Sequence, residues 1–568
     1  MIYIMGTVRM SKGVQKMNKD IFTILVGGQA GQGIKKAGSV AANYLNNKGR
    51  FIFQMNDYQS LIRGGHNFSI VSSSLGEIDS HYMKADLVVA LDKRSYDIHK
   101  KHVKDSGVLV YNKNEVESGD GIGISIEDMV KEYESSEIIK GVTAIASLAA
   151  CINLSESELK EVVKQEYTRN FKANFKYASK VYTTLKKKIK HKFEIKQDDK
   201  NHDILHGNEC IALGAASGGL NLYFAYPMTP ASGLLHFFAK YQNTLKIFAI
   251  HAENEISVAN MAIGASFTGA KAMVGTSGGG FGLMQEAFSL AGMAEAPVLF
   301  VLGQRSGPST GVPTYTEQAD LMMAVNAGHG EFPRILASPG SFEEAFYLTA
   351  ELLDIIWHFQ IPGILLSEKH LLESRKSIAI EPSKSKWARF NKQKSGEYKR
   401  YRITKNGVSE MLFPPSEALI KWNSYEHDEY GLTTEDAEMI TKMHDKRNKK
   451  QTSLIEYMRN IKTVNKYGSG KLKIFTFGSS TMSVLEAVKY GNIDAAVIQP
   501  IYLKPFPEWE FEKFDKQDKI IVVEQNSTGQ LESMLKEKAG LQINKSIRRY
   551  DGRPFDPVAL SQKIKEVL

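Results

Sequence analysis

Cysteine is almost absent from this chain, and its scarcity excludes several classes of site. Only Cys151 and Cys210 occur among 568 residues. Two cysteines so far apart cannot form a disulfide framework, a four-cysteine zinc site or a complete four-cysteine iron–sulfur site. Any iron–sulfur chemistry in which this protein takes part must therefore use ligands from another chain.

Long apolar runs are also absent. Nowhere does the sequence contain the run of about 18 apolar residues that a membrane-spanning helix requires. The opening stretch Met1-Ile-Tyr-Ile-Met5 is too short for the apolar core of a signal peptide. We therefore expect a cytoplasmic protein that does not associate with membranes. Residues 1–19 are expected to be an extension, with Met10 or Met17 as alternative starts.

The positive charge of the chain is not concentrated in a nucleic-acid motif. The net charge is +9, but the basic tracts carry no interleaved aromatic platform and match no nucleic-acid-binding motif. Anionic small molecules or acidic protein partners suit this charge balance better. The composition, with 42% hydrophobic and 24% charged residues, is that of a folded protein.

The pattern of apolar runs predicts three α/β domains, because strand-like segments alternate with helix-like segments in three blocks. The first block opens with a strand, the turn Gly27-Gly-Gln-Ala-Gly-Gln-Gly33 and a helix over 34–45. The glycine spacing of that turn differs from G-x-G-x-x-G, so nucleotide binding there is the weaker alternative. The predicted organisation is a first domain over 20–190, a second over 204–380, an extended connection with a helix over 381–470, and a third domain over 471–568.

The second block places polar side chains just after its predicted strands, where open parallel sheets bind ligands. In Tyr226-Pro-Met-Thr-Pro230, two prolines flank Thr229 and restrict its backbone, so its hydroxyl is held for donation to a carboxylate. The alternative is that Thr229 only caps the next helix. Arg305 follows a later strand and suits bidentate carboxylate recognition, with a surface salt bridge as its alternative.

Two glutamates precede a helix of apolar and small residues. Glu253 or Glu255 could hydrogen-bond a protonatable ring nitrogen in a buried cleft, or could simply favour the helix N-terminus. The segment Thr276-Ser-Gly-Gly-Gly-Phe-Gly282, which contains Ser277 and Gly278, permits close approach of its backbone to a ligand or a neighbouring subunit. It could equally be a flexible junction.

Together these motifs resemble the alpha subunit of the 2-oxoacid:ferredoxin oxidoreductases, with that family's gamma domain fused in front. The gamma-like part carries Gly27–Gly33 and Ser60-Leu-Ile-Arg-Gly-Gly-His-Asn67. The alpha-like part carries Tyr226–Pro230, Gly307-Pro-Ser-Thr-Gly-Val-Pro-Thr314 with Thr316-Glu-Gln318, Glu426-His-Asp-Glu429, and Glu524-Gln-Asn526 with Gly529-Gln530. Departures are Gly279 and Gly282, where Pro and Ser are common, Ser306 for Gly, and Ala231 for Ser.

The resemblance implies a fold of three α/β domains: a gamma-type domain, the pyrimidine-binding domain of thiamine-diphosphate enzymes, and a domain like the transketolase C-terminal domain. It implies that Thr229 and Arg305 bind the carboxylate of the 2-oxo acid. It implies that Glu255, nine residues before Gly264, is the catalytic glutamate that bonds the cofactor's aminopyrimidine ring, with Glu253 as a neighbour. The implied cofactor-binding residues are Tyr226, Pro227, Glu255, Ser277 and Gly278, and no metal ligand is expected on this chain.

The implied activity is oxidative decarboxylation of a 2-oxo acid with coenzyme A, which yields acyl-CoA and CO₂ and passes electrons to ferredoxin. The implied partner is a beta subunit that shares the thiamine diphosphate and carries the Mg²⁺ and the iron–sulfur cluster, in a dimer of gamma-alpha/beta units. The fused layout favours 2-oxoglutarate, and a pyruvate or broad-specificity enzyme is the alternative. A transketolase-like or 2-oxoacid dehydrogenase subunit, and a scaffold without catalysis, are further alternatives.

Overall fold

The computed structural model describes residues 20–61, 64–133, 137–190, 192–512, 514 and 518–568. The expected N-terminal extension, and Ile62 and Arg63 of the gamma-like motif, lie outside the described residues. The described residues form three sheets, of eight, seven and five strands, with interleaved helices. The predicted α/β class with three sheets is therefore confirmed.

Within the described ranges, no helix is both long enough and apolar enough to span a bilayer.

The first sheet is built mainly from the first block. Its central strand is buried along most of its length, and the glycines that follow let the chain turn directly into a helix with Gly33 at a φ of 74°. The strands are β1 (Phe22–Ala30), β2 (Phe51–Asp57), β3 (Gly64–Ser74), β4 (Ala85–Ala90), β5 (Val103–Asn112) and β6 (Ile122–Ile124), and the helices are α1 (Ile34–Asn46), α2 (Lys93–His99), α3 (Ile126–Glu132), α4 (Val142–Cys151), α5 (Glu156–Glu166) and α6 (Phe171–Lys188).

The second block contributes the following elements. The strands are β7 (Asp203–His206), β8 (Leu222–Ala225), β9 (Phe248–His251), β10 (Ala272–Ser277), β11 (Val298–Gln304), β12 (Ile335–Ala337), β13 (Gly363–Glu368) and β14 (Arg375–Ile378), and the helices are α7 (Gly207–Ser217), α8 (Ser232–Leu245), α9 (Glu255–Phe267), α10 (Gly278–Leu283), α11 (Gln285–Met293), α12 (Leu321–Val325), α13 (Phe342–Phe359) and α14 (Lys369–Glu373).

A long connection precedes the third sheet. Residues 386–436 contain only isolated bridges, and the helix α15 (Ala437–Met458) follows. The remaining elements are β15 (Val464–Tyr467), β16 (Leu472–Phe475), α16 (Ser480–Gly491), β17 (Ala495–Pro500), β18 (Tyr502–Lys504), β19 (Lys519–Glu524), α17 (Gln530–Ala539), β20 (Lys545–Arg548) and α18 (Pro557–Lys565). Short 3₁₀ helices lie at Lys100–His102, Glu137–Gly141, Pro382–Lys384 and Glu508–Glu510.

Strands from later blocks complete the earlier sheets. The first sheet has the order β6-β5-β4-β1-β3-β2-β14-β7, and the second has the order β18-β12-β13-β11-β10-β8-β9. β14 pairs with both β2 and β7, and β18 pairs antiparallel with β12. Hydrogen-bonded sheets therefore tie each block to the next.

Candidate active site

The sheet order brings the predicted site residues to one edge of the second sheet. Strands β11, β10, β8 and β9 are adjacent and parallel, so their carboxyl ends lie side by side. Arg305 follows β11, Ser277 ends β10, Tyr226 follows β8 and Glu255 follows β9 by a short turn. We call this edge the half-site.

Thr229 and Arg305 meet across this edge. The Arg305 guanidinium donates from Nη1 to the backbone oxygen of Thr229 at 2.9 Å. Burial lowers the pKa of Arg305, and the carboxylate of Asp320 opposes that shift. The N-cap of α8 is Ala231, and no side chain caps that helix end in the described structure. The contact leaves the other guanidinium nitrogens and the Thr229 hydroxyl available to an anion, whereas the capping role for Thr229 finds no support.

Burial distinguishes the two candidate glutamates. Glu255 is 4% exposed at the first turn of α9, and its Oε1 has no hydrogen-bond partner. Glu253 is exposed and accepts a hydrogen bond from the Ser257 hydroxyl. A buried carboxylate oxygen without a partner is costly, so Glu255 Oε1 is suited to a hydrogen-bond donor that arrives with a ligand.

Two of the glycines of α10, Gly278 and Gly280, lie where the half-site leaves no room for a side chain. A Cβ on Gly280 would lie 2.1 Å from Thr276 Oγ1 and 2.7 Å from Glu255 Oε1. A Cβ on Gly278 would lie 2.5 Å from the Asp320 carboxylate. The hydroxyl of Ser277 is fully buried and unpartnered. The glycines thus allow close packing, and Ser277 offers a second unused polar group.

Tyr226 and Pro227 lie on the exposed side of the half-site. Tyr226 is 38% exposed, and its ring centroid is 6.1 Å from that of His251. Both residues belong to the turn that carries Thr229, so they border the open side of the same edge.

Asp320 is a half-site residue that the sequence reasoning missed. Burial, reinforced by Glu317, raises its pKa to about 6, and Arg305 acts in the opposite direction. Its backbone N–H donates to Gln304 Oε1 at 2.9 Å, and Gln304 Nε2 is buried without a partner. The available signal was its position two residues after Thr316-Glu-Gln318, which was used only as a resemblance motif.

Gln318 and Glu368 form a second buried polar group, which the sequence reasoning did not identify. Gln318 Nε2 donates to Glu368 Oε1 and to the backbone oxygen of Phe477, and the Ser480 hydroxyl donates to Gln318 Oε1. Burial raises the pKa of Glu368 to about 7, and its Oε2 has no partner. Because these contacts cross from the second sheet to the third, local sequence patterns could not reveal them.

Two family models match the chain. Residues 213–446 match "Pyruvate flavodoxin/ferredoxin oxidoreductase, thiamine diP-bdg", and residues 23–184 match "Pyruvate ferredoxin/flavodoxin oxidoreductase". The first match contains all of the predicted site residues.

A relative from Sulfolobus sp, the 2-oxoacid:ferredoxin oxidoreductase subunit alpha, is 30% identical over 612 residues, which cover 96% of each chain. This chain belongs to the 2-oxoacid:ferredoxin oxidoreductase alpha subunits. The family resemblance is therefore confirmed: the chain is an oxidoreductase subunit with a thiamine diphosphate-binding domain. The name of the relative, subunit alpha, implies that the enzyme contains other subunits.

Two further relatives bear on substrate. The 2-oxoglutarate synthase subunit KorA of Archaeoglobus fulgidus is 30% identical over 333 residues, which cover 58% of this chain and 89% of that one. The solved 2-oxoglutarate:ferredoxin oxidoreductase of Magnetococcus marinus is 28% identical and superposes with a TM-score of 0.88 over 97% of this chain and all of that one. That structure contains 2-oxoglutarate, coenzyme A and succinyl-CoA.

The polar groups of the half-site fit a thiamine ring. Glu255 Oε1 is buried and unpartnered, as a ring nitrogen that donates a hydrogen bond requires. Across the described ranges, no three His, Cys, Asp or Glu side chains group in a way that could hold a metal. The half-site therefore offers a buried carboxylate oxygen without a partner and, at Arg305, a guanidinium group.

Proposed function

We propose that this chain binds the thiamine ring and the 2-oxo acid in a thiamine diphosphate-dependent 2-oxoacid:ferredoxin oxidoreductase, with 2-oxoglutarate as the favoured substrate and coenzyme A as the acyl acceptor. The observation that carries the proposal is the half-site itself. There Glu255 is buried with a free oxygen and Arg305 contacts the turn that carries Thr229.

Each residue of the half-site has a distinct role in the proposal. Thiamine diphosphate, when bound, supplies the nucleophilic carbon and the electron sink for decarboxylation. Glu255 Oε1 accepts a hydrogen bond from the ring, an interaction strengthened by its burial. Arg305 and the Thr229 hydroxyl bind the carboxylate and orient the 2-oxo acid before that carboxylate leaves as CO₂. Ser277 and Gly278 border the ring, and Tyr226 and Pro227 close the outer side.

The beta subunit is proposed to dock on the exposed surface beside the half-site. Three glycines there, Gly264, Gly279 and Gly282, have open space where a Cβ would be, so contacts within this chain do not require glycine. Exposed apolar side chains lie on the same two helices, α9 and α10: Ile256 is 50%, Met261 43% and Leu283 54% exposed. Exposed apolar side chains grouped in this way are typical of a protein interface. The beta subunit would hold the diphosphate, the Mg²⁺ and the iron–sulfur cluster, from which electrons pass to ferredoxin.

Substrate choice rests on the relatives. KorA of Archaeoglobus fulgidus is named for 2-oxoglutarate, and the Magnetococcus marinus enzyme holds 2-oxoglutarate and succinyl-CoA. Pyruvate or broad specificity is the second candidate, because the family models carry pyruvate in their names and the Sulfolobus relative is named for 2-oxo acids in general.

The test is to purify the chain with its partner subunit and to measure coenzyme A-dependent viologen reduction with 2-oxoglutarate, pyruvate and longer 2-oxo acids. We expect the highest kcat/KM with 2-oxoglutarate. Glu255→Gln should lower kcat by about 100-fold or more, the range expected when a proton-holding group is lost, while the complex still assembles.

Glu253→Gln is the matched control, since it makes the same change two residues away on an exposed side chain. It should leave kcat nearly unchanged. Wild-type turnover in Glu255→Gln would refute the assigned role, and acyl transfer to a sugar or lipoyl acceptor without viologen reduction would favour the transketolase-like or dehydrogenase reading.

A further inference from the structure

The loop that follows Arg305, which we call the substrate loop (Ser306–Tyr315), is closed at its base. Ser306 N–H donates to the Tyr315 oxygen at 3.1 Å, and Val312 N–H donates to the Ser306 oxygen at 3.0 Å. Residues 307–312 are exposed between these bonds. The position of Tyr315 therefore sets the position of Ser306, the neighbour of Arg305.

The segment between β20 and α18 packs directly on Tyr315. Thr316 N–H donates to the Gly552 oxygen at 3.1 Å. The φ of Gly552 is +75°, and a Cβ there would lie only 3.0 Å from Tyr315 Cβ, so the two residues are in close contact. The guanidinium carbon of Arg553 lies 3.7 Å from the centroid of the Tyr315 ring. Such stacking of a guanidinium on an aromatic face is attractive and directional.

The first sheet supplies the third member of this contact. Asp57 ends β2 and pairs through Oδ2 with Arg553 Nε at 3.1 Å. The Asp57 carboxylate is 7% exposed, so the pair is less screened than a surface ion pair. We call Asp57, Tyr315 and Arg553 the Arg553 clamp. One residue comes from each of the three sheets or the loops beside them.

A cavity lies next to the clamp, so the Tyr315 ring depends on its contact with Arg553 to stay in place. Its volume is about 350 Å³, and Asp57, Tyr315 and Arg553 lie on its wall. Because empty space lies beside Tyr315, the ring has room to shift if Arg553 is removed. The backbone bonds at the loop base would transmit that shift to Ser306 and so to Arg305.

We propose that Asp57 and Arg553 are positioning residues for substrate binding: through Tyr315 they fix the substrate loop, so that the first sheet controls how Arg305 meets the carboxylate of the 2-oxo acid. This inference rests on the proposed role of Arg305. No predicted site residue lies in the first domain, so the clamp gives that domain a direct influence on the half-site.

The test uses the complete enzyme with its partner subunit. Arg553→Ala should raise the KM for the 2-oxo acid by about 5-fold and leave kcat within about 2-fold, because a displaced Arg305 weakens binding of substrate and transition state alike. The KM for coenzyme A should not change. Arg553→Lys, which retains the ion pair, should restore part of the affinity.

Arg549→Ala is the matched control. Arg549 borders the same cavity but pairs with Asp551 in its own turn, so its loss should leave both parameters unchanged. Asp57→Asn keeps the side-chain volume and tests the clamp even if Arg553→Ala lowers the yield of the complex. The double variant Asp57→Asn/Arg553→Ala should be no worse than Arg553→Ala alone, as expected of coupled residues.

Additive effects, an equal effect of Arg549→Ala, or a fall in kcat with unchanged KM would each overturn the clamp. Arg305→Ala separates the two proposals. If it leaves the KM unchanged, the role of Arg305 fails; if it raises the KM while the Arg553 and Asp57 variants do not, only the clamp fails.

Discussion

At the residue scale, neighbouring residues of the same type differ in burial, and this difference defines the half-site. Glu253 and Glu255 are two positions apart, yet Glu253 is exposed whereas Glu255 is buried, with only 4% of its surface accessible. The glycines of α10 differ in the same way: Gly280 is enclosed, while Gly279 faces open space. The spacing of Glu255 and Gly264 suggested Glu255 only through the family resemblance, because helix-terminal preference alone fits both glutamates.

The two glycines give a matched pair of substitutions. Gly280→Ala should destabilise the chain by about 1–3 kcal/mol through overpacking and should lower activity, because the new methyl group displaces Glu255. Gly279→Ala should stabilise the isolated chain by about 0.5–1 kcal/mol, since alanine favours a helix over glycine. The measurements are thermal unfolding of each variant and the activity of the complex. Equal effects of the two substitutions on stability would contradict the difference in packing.

At the scale of elements, the long connection is anchored by a buried ion cluster. Glu295 is 2% exposed and accepts hydrogen bonds from Lys446 and Lys450 of α15, while Arg400 of the connection donates to its backbone oxygen. Lys446 and Lys450 hold the pKa of Glu295 well below its usual range despite its burial. These buried contacts explain how the connection over 386–436, which has almost no regular secondary structure, is held in a single conformation.

Removal of the single carboxylate should therefore be severe. Glu295→Gln leaves buried lysines without their partner, and we expect a loss of about 3–5 kcal/mol of unfolding free energy. Glu438→Gln removes the partner of Lys442 in an exposed pair of the same helix and should have no measurable effect. Denaturant unfolding of the two variants provides the comparison, and similar midpoints would refute a structural role for the cluster.

The positions of the strands could be predicted from the sequence far better than the pairing of one strand with another. In the second block, the apolar runs at 222–225, 272–275, 298–302 and 363–366 each predict a strand. The structure has strands there, β8, β10, β11 and β13, and the last three extend beyond the runs. The pairing of β14 with β2 and of β18 with β12 was not predicted. Apolar periodicity reports local conformation and burial, whereas strand pairing over hundreds of residues depends on global packing.

At the scale of the whole molecule, histidines concentrate where the three sheets meet. His81, between β3 and β4, has its ring centroid 5.7 Å from that of His370 in α14. Burial lowers the pKa of His81 to about 4, with Asp556 opposing and Arg549 adding to that shift. The contact between His81 and His370 and the contacts of Gln318 with Glu368 were not predicted from the sequence, because their members are far apart in the chain and only the fold brings them together.

Acid should loosen this junction. Below pH 6.5 the unfolded chain binds a proton at His81 that the folded chain does not bind until about pH 4, so stability falls as the pH drops through this window. His81→Phe should reduce that fall by up to about 1.4 kcal/mol per pH unit. The measurement is the melting temperature of variant and wild type between about pH 7.5 and 4, the range in which a histidine with a lowered pKa titrates. Plotted against pH, the two melting temperatures should converge or cross, and parallel plots would exclude the effect.

The second sheet also ends in an open strand. β9 pairs only with β8 among the described strands, and Phe248 on β9 is 64% exposed. An uncovered strand edge with an exposed aromatic side chain is a template for pairing with other chains. We therefore expect the isolated chain to aggregate through this edge unless another chain covers it.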